Sequence, residues 1–225
     1  MMGPAALLCV ASLVPAVAGT ALDNDSIRTA VALWLSDSAA AEAAYGHIST
    51  WETGGVTDMT YLFCASCTGV NSAAWSAAAS FNEDIGAWDT SGVTLMSSMF
   101  NRASSFNQNI GDWAVHSVKE MSYMFGYASA FNQDISGWAV DSVTSMEGMF
   151  RYASAFDQDL GWCVDDGVNL DWAFYDAPCE STSCGVEKAE SGCASWFGNL
   201  GSDAAPKTQF TSFGALLGAA ALLML

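Results

Sequence analysis

The stretch FNQDISGWAVDSVTSMEGMFRYASA, residues 131–155, is one copy of a unit that recurs along this chain. Each of four copies begins with a phenylalanine, and these are spaced 25 residues apart: Phe81, Phe106, Phe131 and Phe156. A tryptophan follows each of them, and a further phenylalanine stands twelve residues after that tryptophan. An N-terminal copy keeps the same distance from Trp51 to Phe63. A fixed period of this length predicts a solenoid, whose units bury their apolar faces against one another.

Each copy divides into two halves with different periodicities. In the quoted copy, residues 135–140 are rich in strand-favouring types around Gly137, which predicts a short strand and a bend. Residues 142–153 carry apolar side chains three and four positions apart, which predicts a short helix with Asp141 or Ser142 as its N-cap. The sequence therefore predicts an α/β solenoid over residues 48–176, with about five strand-plus-short-helix turns that start near residues 48, 81, 106, 131 and 156.

The repeat also carries a family resemblance. The strings WDTSGVTLMSSMF at residues 88–100 and FNQDISGWAVDSVTSMEGMF at residues 131–150 resemble the repeat of the BspA-type leucine-rich-repeat surface proteins of bacteria and unicellular eukaryotes. The resemblance covers residues 48–176 and implies a right-handed, leucine-rich-repeat-like solenoid at a cell surface. Adhesion or partner binding is the function that it implies. It transfers no catalytic residue, because that repeat contains none.

Both ends of the chain have the form of processing signals. Residues 1–18 combine an apolar core with a small-residue Ala-Val-Ala ending, which predicts a secretory signal peptide, although its first residues include no Lys or Arg. Residues 203–225 contain a polar spacer and an apolar tail, which predict a lipid attachment signal with Ser202 as the anchored residue. A retained hydrophobic segment is the alternative at each end. We therefore expect a secreted protein on the outer face of the plasma membrane, in contact with the membrane only through its C-terminal anchor.

A cap is expected at each end of the repeats, because an exposed solenoid end is an uncovered core. Residues 19–47 predict an N-terminal capping helix, with Asp25 or Ser26 as N-cap and an apolar face running from Ile27 to Tyr45. Residues 177–202 predict a cysteine-rich C-terminal cap. Asn24 begins an Asn-x-Ser sequon and is a predicted glycosylation site.

Six cysteines remain once Cys9 is removed with the signal peptide, and an even number in a secreted chain predicts disulfides. The six are Cys64, Cys67, Cys163, Cys179, Cys184 and Cys193. Fifteen pairings remain open; proximity favours Cys64 with Cys67 and places the other four in the C-terminal cap. A redox-active Cys64/Cys67 dithiol and a zinc site are the alternatives.

The formal net charge of −18 excludes some classes of partner. Binding of nucleic acid needs Lys and Arg to neutralise phosphates, so we expect none, and an anionic membrane surface is disfavoured for the same reason. Cationic partners and divalent ions are favoured instead.

Two columns of short polar residues run through the repeats. Asn82, Asn107, Asn132 and Asp157 form the first, and Asp84, Asn109, Asp134 and Asp159 form the second. Stacked carboxylates at Asp84, Asp134 and Asp159 could hold calcium, which prefers several oxygen ligands. The interpretation that we favour is structural: the side chains satisfy backbone groups at the corners of the units.

The remaining repeated residues point to packing rather than catalysis. The paired methionines predict core filling rather than a copper site, and the repeated tryptophans predict packing inside, with sugar stacking as the alternative if they face solvent. No catalytic motif accompanies His47 and His116, so we expect neither enzyme activity nor a cofactor. The predicted function is adhesion at the cell surface or binding of an extracellular protein or glycan, with the stretched segment Cys64–Ser80 as the best candidate loop. The alternative is a structural, acidic surface coat associated with calcium.

Overall fold

The computed structural model describes residues 21–67 and 72–189; the predicted signal peptide, Cys193, Ser202 and the anchor signal lie outside these ranges. The regular elements are α1 (Asn24–Ser36), α2 (Ser38–Tyr45), a 3-10 helix (Ile48–Thr50), α3 (Ser72–Ala79), β1 (Cys163–Asp165), a second 3-10 helix (Glu180–Gly185) and β2 (Glu187–Ala189). β1 and β2 pair in parallel, with Cys163 opposite Glu187. The repeats themselves consist mostly of turns.

The N-terminal cap consists of two helices rather than one. Asp37 separates them: its N–H donates to the Leu33 carbonyl at the end of α1, and its side chain accepts the Ala40 N–H at the start of α2. The N-cap of α1 is Asp23, in a capping box with Ser26, and not Asp25 or Ser26 as expected. The expected apolar face is present, since Ile27, Val31, Trp34 and Ala41 are buried.

The prediction of a right-handed, leucine-rich-repeat-like solenoid of five strand-plus-short-helix turns is wrong. Residues 135–140 contain a turn in which the Trp138 N–H donates to the Ile135 carbonyl, and residues 142–153 form no helix. Gly148 and Tyr152 have φ angles of 58° and 57°, whereas a helix needs consecutive right-handed residues. The spacings of three and four arise from successive tight turns, such as the one closed by the Met149 N–H and the Met146 carbonyl.

Neighbouring copies of the unit stack in register through backbone hydrogen bonds, which we call the inter-unit ladder. Isolated parallel bridges link equivalent residues of successive copies: Asp58, Leu95, Glu120, Ser145 and Asn169. From each bridge, alternate N–H groups donate to the next copy, as Tyr123 does to the Glu147 carbonyl over 2.7 Å. In the fourth copy, the intervening N–H groups of Met149, Arg151 and Ala153 bond within their own turns. Backbone groups are therefore satisfied without a continuous strand or helix.

The core consists of columns of equivalent side chains. The rings of Phe106 and Phe131 are stacked with centroids 6.0 Å apart, and those of Phe100 and Phe106 with centroids 4.0 Å apart. The methionine pairs are buried in the same core, which confirms the packing prediction. The five repeat tryptophans are at most 5% exposed: Trp51, Trp88, Trp113, Trp138 and Trp162.

α1 closes the N-terminal edge of the inter-unit ladder with two side chains. Asn24 Oδ1 accepts the N–H groups of Thr57 and Asp58 over 2.8 and 3.0 Å. Arg28 donates to the carbonyl of Thr60 through Nη1 and to that of Asp58 through Nη2, over 2.7 and 3.3 Å. In the interior of the stack the equivalent backbone groups bond to the preceding copy, so the two side chains supply the contacts that a preceding copy makes elsewhere.

The stretched segment between Cys64 and Ser80 includes a disulfide and a helix. Cys64 and Cys67 are joined, and α3 packs against α1. The insertion thus lies beside the N-terminal cap. Its predicted role in binding remains a prediction.

Candidate functional site

The positive-φ residues of the repeats place large side chains on one face of the stack. Tyr61, Tyr123 and Trp172 occupy one equivalent position, at φ angles of 64°, 55° and 59°. Arg102, Tyr127 and Tyr152 occupy a second position four residues later, at 57° to 62°. Such angles are rare for bulky residues, because the side chain is crowded by its own backbone. In the interior of the stack, hydrogen bonds of the inter-unit ladder hold these residues in place. The Tyr127 N–H, for example, donates to the Arg151 carbonyl.

These side chains contact one another from copy to copy. The Arg102 guanidinium lies 4.1 Å from the centre of the Tyr127 ring, a cation–π contact. The Tyr127 ring is stacked on Tyr152 at 4.8 Å, and Tyr152 meets Tyr175 edge-on at 5.3 Å. We call the connected set the aromatic–arginine face. Its members are Arg102, Tyr123, Tyr127, Arg151, Tyr152, Trp172 and Tyr175.

Arg151 lies at the centre of this face. Its guanidinium is 5.3 to 5.8 Å from the ring centres of Tyr152, Trp172 and Tyr175. Its Nε atom is buried and has no hydrogen-bond partner among the described residues. The guanidinium is therefore surrounded by ring faces and is hydrogen-bonded to the hydroxyls of Tyr123 and Tyr152.

Tyr123 is fixed in place by the next copy of the unit. Its ring lies so close to Gly148 that a Cβ on this glycine would collide with it. Its hydroxyl donates to Glu147 Oε1 over 3.0 Å. Burial raises the pKa of Tyr123, and the hydrogen bond to Glu147 raises it further. The pKa of Tyr175 is also raised, chiefly by the neighbouring Tyr152 hydroxyl. Both hydroxyls are therefore neutral donors at physiological pH.

The C-terminal end of the face is open to solvent. Trp172 and Tyr175 are 58% and 37% exposed, and they line a shallow groove of about 250 Å³. We call it the edge groove. It is lined by Leu170, Trp172, Ala173, Phe174, Tyr175, Glu180 and Ser183. Rings, a guanidinium and neutral hydroxyls suit this region for binding a partner.

A larger cavity of about 550 Å³ lies at the N-terminal end of the repeats, beside Trp51, Glu52 and Asp89. Asp89 accepts the hydroxyl and the N–H of Ser91 over 2.6 and 3.0 Å. These hydrogen bonds lower the pKa of Asp89, the one to the Ser91 hydroxyl most. This carboxylate is therefore committed to its own turn.

The polar columns bond to the backbone, as the structural interpretation predicted. Asn107 Oδ1 accepts the Asn132 N–H over 2.9 Å, and the first column repeats this bond along the stack. In the second column, Asp84 and Asp134 each accept the N–H two residues further on, over 3.0 Å. Asp159 is exposed at the equivalent place. Within residues 21–67 and 72–189, no three His, Cys, Asp or Glu side chains are grouped to hold a metal ion.

The cysteines form disulfides where the described residues include them. Cys64 pairs with Cys67 as predicted, and Cys179 pairs with Cys184 in the C-terminal cap. Cys163 is also disulfide-bonded. The Cys64/Cys67 pair is therefore a disulfide, in contrast to the dithiol and zinc alternatives.

Asn24 has a structural role that the sequon did not indicate. Besides accepting N–H groups from the first copy of the unit, its Nδ2 donates to Thr57 Oγ1 over 3.0 Å. Glycosylation of Asn24 stays a prediction.

The exposed aromatic residues are not the tryptophans that recur with the repeat. The repeat tryptophans are buried, so sugar stacking on them is excluded. Trp172 and the tyrosines of the face were missed, because they do not recur as one residue type. A signal was present: the residue type at the positions of Tyr123 and Tyr127 varies from copy to copy, whereas the core positions keep Phe and Trp throughout and Met in three consecutive copies.

Comparisons with known proteins identify a family but no individual relative. No curated protein and no solved structure matches the chain. Among the described residues, no helix has the length and apolar character needed to cross a membrane. A family profile matches residues 38–78 and 68–184, which together span well over half of the 225 residues. The chain therefore belongs to the family described as "Mycoplasma protein of unknown function, DUF285".

Proposed function

We propose that this chain is a non-enzymatic binding protein, secreted and lipid-anchored at the cell surface, which mediates adhesion through an extracellular protein or glycan. The aromatic–arginine face is the observation that carries the proposal. The resemblance to BspA-type surface repeats supports the location and the adhesive role.

The composition of the face favours binding over a structural role. Tyr, Trp and Arg are the residue types that contribute most of the binding energy in protein interfaces. The core is already filled by Phe, Trp and Met columns, so the exposed rings of Trp172 and Tyr175 are not needed for packing. Bulky residues at positive φ cost folding energy, and such strain tends to persist at functional sites. Carboxylates at Asp171, Asp176 and Glu180 border the face and favour a cationic partner.

The test of this function removes two rings of the face without straining the backbone. Asparagine tolerates the left-handed conformation, so Tyr127→Asn combined with Tyr152→Asn removes two rings and keeps the turns. Tyr61→Asn is the matched control, because Tyr61 has the same conformation and is 52% exposed but lies outside the connected set. Beads coated with the full chain would be tested for adhesion to a panel of cultured cells and to a glycan array.

We expect the double variant to lose at least about tenfold in adhesion, since rings at the centre of an interface are common hot spots. The Tyr61→Asn control should stay close to the unchanged protein. Equal adhesion by all three proteins would reject the face as the binding site. Calcium-dependent self-association without a saturable ligand would favour the alternative of an acidic coat.

The surface location has a separate test. The full chain is expressed with an epitope after residue 18, and intact cells are treated with phosphatidylinositol-specific phospholipase C. Release of the epitope is the expected result. A surface epitope that resists the enzyme would exclude the lipid anchor, and absence from the surface would exclude secretion.

A further inference from the structure

The inter-unit ladder ends with unused N–H donors at its C-terminal edge. In the fourth copy, Met146, Gly148 and Phe150 donate their N–H groups to carbonyls of the fifth copy over 2.7 to 2.9 Å. In the part of the chain that the structure describes, no further copy lies beside the equivalent residues of the fifth copy: Leu170, Trp172 and Phe174. No hydrogen bond involves their N–H groups anywhere in the described ranges. Within residues 21–67 and 72–189, three donors at alternate positions thus have no acceptor along one edge.

A fourth N–H group of this edge, that of Asp176, has an acceptor, unlike the other three. In the preceding copy the Tyr152 N–H donates to the Tyr175 carbonyl. At the edge, the equivalent Asp176 N–H donates to Glu180 Oε2 over 3.0 Å, so the cap supplies one acceptor in place of a missing carbonyl. Elsewhere the cap covers the neighbouring part of the last copy, where the Glu187 N–H bonds to the Trp162 carbonyl and β2 pairs with β1. Residues 170–174 are left uncovered by these contacts.

The free donors coincide with the edge groove. Their three residues line it, together with Tyr175, and Glu180 and Ser183 of the cap contribute to its lining. Phe174 and Ala173 are buried and provide an apolar floor, while Trp172 extends into solvent. Alternate N–H donors beside an apolar groove are the features by which a sheet edge binds an extended peptide.

We propose that the edge groove docks an extended segment of a partner protein. Carbonyls two residues apart in such a segment are about 6.6 Å from one another, and they would accept the N–H groups of Leu170, Trp172 and Phe174 in turn. Alternate side chains of the segment would lie against the apolar floor and the Trp172 ring. The inference deepens the proposed function, on which its biological role rests, by naming the class of partner.

The charges around the groove specify the chemistry of the segment. Asp171, Asp176 and Glu180 are exposed beside it, on a chain of net charge −18. Basic side chains are therefore favoured on the outward face of the segment, alternating with apolar ones that face the groove. A second copy of this chain is disfavoured as the occupant. Its net charge is the same, and its N-terminal edge is already closed by Asn24 and Arg28.

The test uses the full chain with its disulfides formed and a fluorescent peptide of about eight residues with alternating lysine and valine. An alternating glutamate and valine peptide is the matched control for charge. We expect the lysine peptide to bind at least about tenfold more tightly than the glutamate peptide, because carboxylates border the groove. Equal binding of the two peptides, or no binding of the lysine peptide up to about 1 mM, would overturn the proposal.

A pair of variants isolates the N–H donor. Leu170→Pro removes both the side chain and the N–H, whereas Leu170→Ala removes only the side chain. We expect the proline variant to bind the lysine peptide about threefold to tenfold more weakly than the alanine variant, the range for one lost hydrogen bond. Equal affinities would show that the main-chain donor is not used.

Amide hydrogen exchange on the unaltered chain gives a second measurement that needs no proline variant. Without peptide, the amides of Leu170, Trp172 and Phe174 should exchange faster than those of Met146, Gly148 and Phe150. Saturating lysine peptide should slow the first three. Bound peptide without slower exchange would reject edge docking.

The failure of this proposal can be distinguished from failure of the proposed function. The variant Tyr127→Asn/Tyr152→Asn alters the centre of the aromatic–arginine face and leaves the three donors in place. If the unaltered chain adheres to cells but does not bind the lysine peptide, edge docking alone is rejected. Peptide binding without any cell adhesion would retain the docking site and remove the adhesive role.

Discussion

Backbone conformation at single residues determines which side chains reach the surface of this protein. Ten non-glycine residues of the described ranges have positive φ, and several of them carry rings or a guanidinium. Each left-handed residue costs about 1–2 kcal/mol relative to the right-handed form. The turns persist because hydrogen bonds to the next copy hold them, as between the Tyr152 N–H and the Tyr175 carbonyl. The aromatic–arginine face therefore lowers the stability that the fold would otherwise have.

Substitutions at one repeat position should change the free energy of unfolding in opposite directions, depending on whether they remove or introduce a strained side chain. Ser98 and Gly148 are equivalent, with φ angles of 55° and 58°. We expect Ser98→Gly to raise the free energy of unfolding by about 0.5 kcal/mol, because relief of strain exceeds the added entropy of the unfolded chain. Gly148→Ala should lower it by about 2 kcal/mol, because the new Cβ is strained and displaces the Tyr123 ring. Urea unfolding of both variants measures the changes. A loss of stability in Ser98→Gly, or no loss in Gly148→Ala, would contradict the prediction.

Asp23 should contribute to the pH dependence of stability. Hydrogen bonds from Ser26, above all from its hydroxyl, hold the pKa of Asp23 below its ordinary value of 3.8. The unfolded state therefore binds the proton more readily, so this contribution is present above the ordinary pKa and is lost as pH falls through the folded value. Between pH 6 and pH 2.5 we expect Asp23→Asn, which still caps the helix, to lose less stability than the unchanged chain. Urea titrations at both pH values provide the measurement; parallel losses would exclude a role for this carboxylate.

At the level of elements, α1 acts as a substitute for a repeat. Interior copies satisfy one another, whereas the first copy depends on Asn24 and Arg28 for the groups that face outward. The ion pair between Arg28 and Asp58, at 3.3 Å, is partly exposed and contributes little by itself. The hydrogen bonds to backbone carbonyls are the more important contacts.

Arg28→Ala should destabilise the N-terminal end, because the carbonyls of Asp58 and Thr60 lose their donors. We expect the free energy of unfolding to fall by about 1–2 kcal/mol. Arg28→Lys should recover only part of this, since an ammonium group cannot reproduce the geometry of two guanidinium donors. Thermal and urea unfolding would measure the series. Equal stability of the Lys and Ala variants would show that the two-carbonyl contact is unimportant.

For the whole molecule, stability is expected to depend on the ends of the stack. Each copy contacts only its neighbours, so stability is approximately a sum of unit and interface contributions. The N-terminal end is covered by α1, and the C-terminal end is held by the Cys179–Cys184 disulfide and the pairing of β1 with β2. Local unfolding should therefore begin where a cap is weakened.

Replacement of Cys179 and Cys184 by alanine should weaken the C-terminal end selectively. Closure of so short a loop contributes about 2 kcal/mol in the chain-entropy treatment. Amide exchange should accelerate in the fifth copy, for instance at Ala173, and change little at Met124 in the third. Uniform acceleration along the stack would instead indicate that the repeats unfold as one cooperative unit.

The sequence by itself determined the repeat, its register and its core. Identical Phe, Trp and Met positions recur because every copy must bury the same shape against the next, so periodicity alone identifies the buried columns. The backbone bonds of Asn107 and the pairing of Cys64 with Cys67 were also predictable, because both depend on neighbouring or equivalent residues.

Only the tertiary structure decided the backbone of each copy and the location of the face. Spacings of three and four fit a helix and a series of tight turns equally well, and the choice depends on N–H groups bonding to the next copy, which lies 25 residues away. The same long-range bonds offset the strain of left-handed residues such as Tyr127 and turn their rings outward. Among the described residues, the N–H groups of Leu170, Trp172 and Phe174 likewise lack acceptors because the fifth copy is the last of the stack, and no local pattern contains that information.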